Sequence, residues 1–276
     1  MAKRKFKIKS KRILVMGDTH CGHIAGLTPP SWQLQNSKDM VGDSIFIKKR
    51  KLFSKLQREV WDWYITEIKA LGKIDILFCM GDLIDGRGEA SGGSELITTD
   101  CNEQCDIAIE CIKQVNADEI AMVYGTPYHT GKKTDYEDNI AKTLGVKQIA
   151  DHLWVDVNGV IFDLRHKIGG SSIPYGKAGP ISKQKLHNLM WSSKDMQPNS
   201  DVIIRAHVHR DCYTGDHEWL GMTIPSLQWF SKFGTRQCDS LVSIGITWFD
   251  VNDKGGYTWG QKIAKLPTQK VPVLKF

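Results

Sequence analysis

The residues whose types and spacing could do chemistry stand at the ends of three apolar runs. The stretch ILVMGDTH, from Ile13 to His20, breaks off into Asp18 and His20. Residues two apart on an extended chain share a face, so a carboxylate and an imidazole project together there. IDILFCMGDLID repeats the design, meeting Gly81 and Asp82 with Asp85 one turn further on. VIIRAHVHR is a third version, with His207 and His209 again two apart. Carboxylates and imidazoles without thiolates form a ligand set suited to manganese, iron or zinc. Two further histidines follow apolar runs, His129 four residues past Gly125 and His166 at the end of VIFDLRH.

These side chains need strands that deliver them to one place. Reactive groups in open α/β sheets gather outside the carboxyl ends of parallel strands, so the three endings are expected to converge. A four-residue beat, Leu52, Leu56, Val60, Tyr64 and Ile68, predicts an amphipathic helix over about 48–71 that Gly72 ends and that crosses between the first two strands. A second helix is expected from 98–100 to about 116, and EIAMVYG is the third parallel strand. A short helix over 136–144 follows, then a hairpin turning at Asn158-Gly159, a helix over 181–191 and a final hairpin in the tail. Residues of about 21–47, rich in Gly, Pro, Ser and Asn, read as a lid-like loop, and GRGEASGGSE as a second mobile lid. His23, three residues past His20 in the first of these loops, reads as solvent-facing, with approach to the substrate as the alternative.

The 276 residues, 41% hydrophobic and 25% charged, suit a single domain spanning 1–276. No apolar stretch has the length of a membrane span, and a cytoplasmic protein is expected. Seven cysteines without zinc-finger spacing argue against a disulfide framework; Cys101, Cys105 and Cys111 read as buried hydrophobes. The net charge of +6 is concentrated: residues 1–12 hold seven Lys and Arg and no acid, a basic segment at +7, leaving the remainder at −1. That segment and the cluster Lys48–Lys51 are candidate contacts for nucleic acid. Trp229 and Phe230 are read as exposed rings able to stack on bases.

In its ordered motifs the chain resembles the calcineurin-like metallophosphoesterases. Asp18-Thr19-His20 stands for D-x-H, Gly81 to Asp85 for G-D-x-x-D, His166 for the isolated histidine, and Ala206-His207-Val208-His209 for G-H-x-H with alanine in place of glycine. The resemblance implies a four-layer α/β/β/α sandwich with mixed sheets and two divalent metal ions, manganese first, with iron or zinc as alternatives. It places Asp18, His20 and His209 on one metal, His166 and His207 on the other, Asp82 between them and Asp85 behind. The family's asparagine, followed directly by a catalytic histidine, is missing. Here Gly125 leads through Thr126, Pro127 and Tyr128 to His129, which is either the catalytic acid or the substitute ligand, with Thr126 a second candidate for the asparagine's place. The G-T-x-x-H variant is similar to phage and prophage members, which would place the protein in a host cytoplasm. The implied activity is hydrolysis of phosphate esters by a phosphodiesterase or nuclease acting on DNA or RNA. A phosphomonoesterase, a cyclic-nucleotide or small-molecule phosphodiesterase, and a scaffold that has lost catalysis remain alternatives. Oligomeric state is left open.

Overall fold

The computed structural model describes residues 9–171, 176–231 and 242–265. Strands β1 (Lys11–Met16), β2 (Ile76–Cys79), β3 (Glu119–Val123) and β4 (Gln148–Ala150) run parallel in one sheet. β10 (Gly245–Val251) joins β1 antiparallel and β11 (Tyr257–Ile263) closes that edge as the expected hairpin. The second sheet has the order β5 (Leu153–Val157), β6 (Val160–Leu164), β7 (Val202–Arg205), β9 (Leu220–Thr223), β8 (Cys212–Gly215). β6, β7 and β9 are parallel within it, and β5 and β8 flank them antiparallel.

Strands covered on both faces must be apolar on both, and β1 shows this by alternation. Ile13 and Val15 face the second sheet, while Leu14 and Met16 face helices. Phe78 and Met80 against Leu77 and Cys79 divide in the same way. Phe162 stands between Phe78 and Phe249, with ring centroids 5.5 and 5.2 Å away, so an aromatic side chain of one sheet is gripped by two of the other. The outer face of the first sheet is covered by α1 (Ile45–Leu71), α2 (Cys101–Lys113) and α4 (Glu137–Leu144); α5 (Gly179–Ser192) packs on the second. These layers form the mixed-sheet α/β/β/α sandwich. Among the described residues no helix is long and apolar enough to cross a membrane.

Helix α1 begins three residues before the expected start at about 48, because the Ser44 hydroxyl caps the Ile47 N–H at 3.2 Å. It ends at Gly72 in a positive-φ conformation, as expected. The strands β4, β8 and β9 were not anticipated. Cys101, Cys105 and Cys111 lie buried on α2 in the core, as hydrophobes would.

Both expected lids need correction. Residues 21–29 are buried throughout, bridged to Ile84 through Cys21 and to Leu96 through His23, so they form a wall of the site. The exposed part of that segment begins only at Pro30, and its last three residues already belong to α1. The glycine-rich segment after Asp85 is closed on itself by Ser91, Gly93 and Leu96 N–H donors to Gly88 and Gly93 carbonyls. Its last residue, Glu95, is buried and ion-paired to Lys49 at 2.9 Å. Most of the basic N-terminal segment lies outside the described residues. Of its last members, Arg12 is committed to structure through a two-pronged pair with Asp250 at 2.7 Å.

Candidate metal centre

The carboxyl ends of β1 and β2 in one sheet meet those of β6 and β7 in the other. Asp18 and His20 follow β1, Asp82 follows β2, His166 follows β6, and His207 and His209 follow β7. Ligand atoms of Asp18, His20 and His209 lie within 4.8 Å of one another, as do those of Asp82, His166 and His207. All six residues expected as metal ligands are therefore brought together, and Asp82, expected between the two groups, also lies close to His20 and His129.

The backbone is bent to achieve this. Asp18, His20, Asp82, His207 and His209 all have φ between 42° and 74°, in the left-handed region. Non-glycine residues held there cost of order 1–3 kcal/mol each and collect where function demands a particular direction. The Gly81 and Gly125 backbones touch, so that a Cβ on Gly81 would overlap Gly125 and a Cβ on Gly125 would overlap the Asp82 backbone and carboxylate.

Hydrogen bonding fixes which ring nitrogens face inward. His20 donates through Nδ1 to Asp85 Oδ1 at 3.0 Å, which leaves the lone pair of Nε2 facing His209 Nε2 at 3.1 Å. His166 donates through Nδ1 to the Met80 carbonyl at 2.6 Å, so its Nε2 faces Asp82 Oδ2 at 3.0 Å and Asp18 Oδ1 at 3.9 Å. Lone pairs aimed at each other or at carboxylate oxygens require a cation between them, either a proton or a metal. Asp18 Oδ1 and His166 Nε2 are buried with no hydrogen-bond partner, as inward-facing ligand atoms would be. The residues fit a pair of divalent ions.

The titration of these groups follows the same geometry. Burial works to lower His166, but Asp82 and Asp18 outweigh it and lift the imidazole to about 9. Burial works to raise Asp82, while His166 and His207 pull it well below the usual carboxylate range. His20 falls to about 4, through burial and the neighbouring His129. Asp85 falls to about 2 despite its burial, because His20 donates to it and His23 lies near.

His129 also reaches the centre, on the short helix α3 (Pro127–Thr130). Its ring stands edge-on to His20 with centroids 4.5 Å apart, and its ligand atom groups with those of His20 and Asp82. Nδ1 donates to the Asp85 carbonyl at 2.8 Å, so Nε2 is the nitrogen left for chemistry. Thr126 gives both its N–H and its hydroxyl to Asp82, at 2.6 and 3.0 Å from Oδ1. It holds the carboxylate that lies between the two groups.

Three supporting residues were not read from the sequence. Glu137, in the first turn of α4, accepts the N–H groups of Leu83 and Gly125 and so ties the two site loops together at 2.9 and 2.8 Å. Gln104 on α2 accepts from Asp85 and Gly86 backbone and donates to the Gly86 carbonyl. Gln228 donates to Asp85 Oδ1 at 3.3 Å. Each belongs to a local pattern shared with ordinary surface positions, and no spacing rule marks it. His23, expected at the surface, is buried, with Nδ1 accepting from Ala25 and Nε2 facing Glu95 at 3.7 Å. Trp229 is packed against two core clusters, which removes it as an exposed stacking ring.

Layered sheets with carboxylates and imidazoles at their facing strand ends form the arrangement expected from the motif resemblance, that of the calcineurin-like metallophosphoesterases. No family model matches the chain. No curated protein matches it either. Solved structures do show similarity. Vps29 from Entamoeba histolytica has 13% identity and a TM-score of 0.43, over 92% of this chain and 99% of that one. An archaeal phosphodiesterase has 14% and 0.45, over 92% and 99%. A predicted phosphoesterase from Streptococcus pneumoniae has 10% and 0.37, over 93% and 99%. Likenesses this remote carry no argument about activity, which must come from the site itself.

Proposed function

We propose that this chain is a metal-dependent phosphoesterase acting on phosphodiesters, with nucleic acid, DNA or RNA, as its substrate class. The observation that carries the reading is the gathering of these carboxylates and imidazoles into groups with metal-ligand spacing, within which Asp18 Oδ1 and His166 Nε2 are buried without a hydrogen-bond partner. Asp18, His20 and His209 would hold one divalent ion and His166 and His207 the other, with Asp82 between them, manganese being the first choice and iron or zinc the alternatives. Such ions, when bound, supply an activated water and neutralise charge on a phosphoryl group.

The protein's own residues do the rest. Asp85 fixes the tautomer of His20, and Thr126 fixes the rotamer of Asp82. His129, held through Nδ1, presents Nε2 beside the centre, where a protonated imidazole can deliver a proton to the leaving oxygen. The displaced position of His129 also favours a second reading, a scaffold that keeps the fold without turnover. Hydrolysis of bis(p-nitrophenyl) phosphate with added manganese separates the two. Turnover that Asp82→Asn abolishes is expected. Absence of turnover with manganese, iron and zinc alike, with less than one tightly held metal per chain, would establish the scaffold instead.

A further inference from the structure

A cleft opens directly beside His129 and is absorbed by none of the roles above. Its volume is about 400 Å³, and its walls include Arg87, Glu89, Tyr128, Lys132, Lys133 and Tyr136. A second hollow of about 480 Å³ shares Arg87 and Tyr136 with it and extends the groove away from the centre toward Thr99 and Asn102. Three cations therefore face one carboxylate, Glu89, which pairs with Lys132 at 3.4 Å; Asp100 enters only in the farther hollow. Arg87 and Tyr136 line both hollows, so a guanidinium and a phenol make one wall together. The Tyr128 ring is 45% exposed and stands edge-on to His129 at 4.8 Å, at the mouth of the cleft nearest the reacting atoms.

Cations interleaved with aromatic faces along a groove are the composition that binds single-stranded nucleic acid: lysines and arginines track phosphates, and rings stack on bases regardless of sequence. The position is equally informative. The group that protonates a leaving oxygen lies on the leaving-group side of the phosphorus, so a cleft that begins at His129 receives what departs. Two hollows in series suit a chain of nucleotides better than one small ester.

We infer that the groove from Tyr128 through Lys132, Lys133 and Arg87 to Tyr136 binds the leaving-side portion of a single-stranded nucleic acid, an inference that rests on the phosphodiesterase reading of the adjoining centre. Phosphates of the departing strand lie on Arg87, Lys132 and Lys133, and Tyr128 stacks on the base next to the scissile bond.

The test is fluorescence anisotropy of a labelled octathymidylate with phosphorothioate linkages, titrated against wild-type protein loaded with manganese and against Lys132→Ala/Lys133→Ala and Tyr128→Ala. The dissociation constant is expected to rise at least tenfold in the double variant. The slope of log affinity against log salt should shrink by about 1.4, the share of two phosphate contacts on a single strand. Tyr128→Ala should weaken binding at every salt concentration while leaving the slope unchanged. Lys194→Ala, on the far side of the second sheet, serves as the charge control. Equal affinity and slope in wild type and double variant, with unchanged thermal midpoints, would overturn the inference, as would an equal loss in the Lys194 control. The same preparations are assayed on bis(p-nitrophenyl) phosphate. Turnover by wild type with unaltered strand binding in the variants overturns the groove alone, whereas no turnover by wild type removes the reading beneath it and the inference with it.

Discussion

Several demands meet on the side chain of Asp82. It faces His166 and His207, receives two hydrogen bonds from Thr126 and stands on a left-handed backbone. Asp82→Asn keeps its size but replaces one ligand oxygen with a donor, so the variant is expected to hold less metal, by elemental analysis, and to lose phosphodiester turnover. His129 gives a sharper test because its two possible roles differ in their consequences. As the acid, His129→Ala keeps the metal content and loses roughly two to four orders of magnitude in rate. The loss should shrink for esters with good leaving groups, which need no proton. Rescue by excess manganese, alike for all leaving groups, would instead make it a ligand.

At the scale of elements, the site depends on two loops pressed together by Gly81, Gly125 and Glu137. Gly125→Ala would drive a methyl group into the Asp82 backbone and carboxylate. It is expected to lower both metal retention and thermal midpoint, although residue 125 is no ligand. Glu137 couples α4 to the same loops and is pushed up to about 8, by burial above all and against the pull of its two N–H donors. Between about 4.5 and about 8 the folded chain therefore keeps a proton that the unfolded chain has released. Stability contributed by this group must fall as pH rises through that window, by at most about 1.4 kcal/mol per pH unit. Urea midpoints of the chelator-treated protein at pH 5.5 and 8 should show this fall, and Glu137→Gln should flatten it. An identical pH dependence in the variant would mean that Glu137 is ionised throughout.

For the whole molecule, the centre is a seam between layers. Asp18, His20 and Asp82 follow strands of the first sheet and His166, His207 and His209 strands of the second, so cations held there would tie together two sheets otherwise joined by the apolar layer around Phe78, Phe162 and Phe249. Ligands that bind only the folded state stabilise it by about 2.7 kcal/mol at a concentration one hundred times the dissociation constant. Chelation of metal-loaded protein is therefore expected to lower the thermal midpoint by several degrees, and manganese to restore it. The chelator shift should be much smaller in Asp82→Asn.

Sequence alone marked the side chains that the fold gathers at the candidate centre, and most of the elements that carry them. Asp18, His20, Asp82, His166, His207 and His209 were legible because strand ends and two-residue spacing are local properties, and motif order added the grouping. Helix α1, the crossover strands and the Asn158-Gly159 turn were legible for the same reason, since apolar periodicity and turn chemistry act within a few residues. Contacts between distant parts of the chain were not legible. That β7 lies in a different sheet from β1 and β2 depends on how β6, β7 and β9 pair, which alternation cannot specify. Residues 21–29 look like a loop in composition yet are buried, because their backbone groups find partners at Leu83, Glu95 and Ala25–Trp229 that only the folded chain supplies. Glu137 shows the limit most clearly: in the first turn of a helix an acid ordinarily meets water and the helix dipole. Only the tertiary structure brings Leu83 and Gly125 to it, turning a commonplace position into the clasp between the two loops of the site.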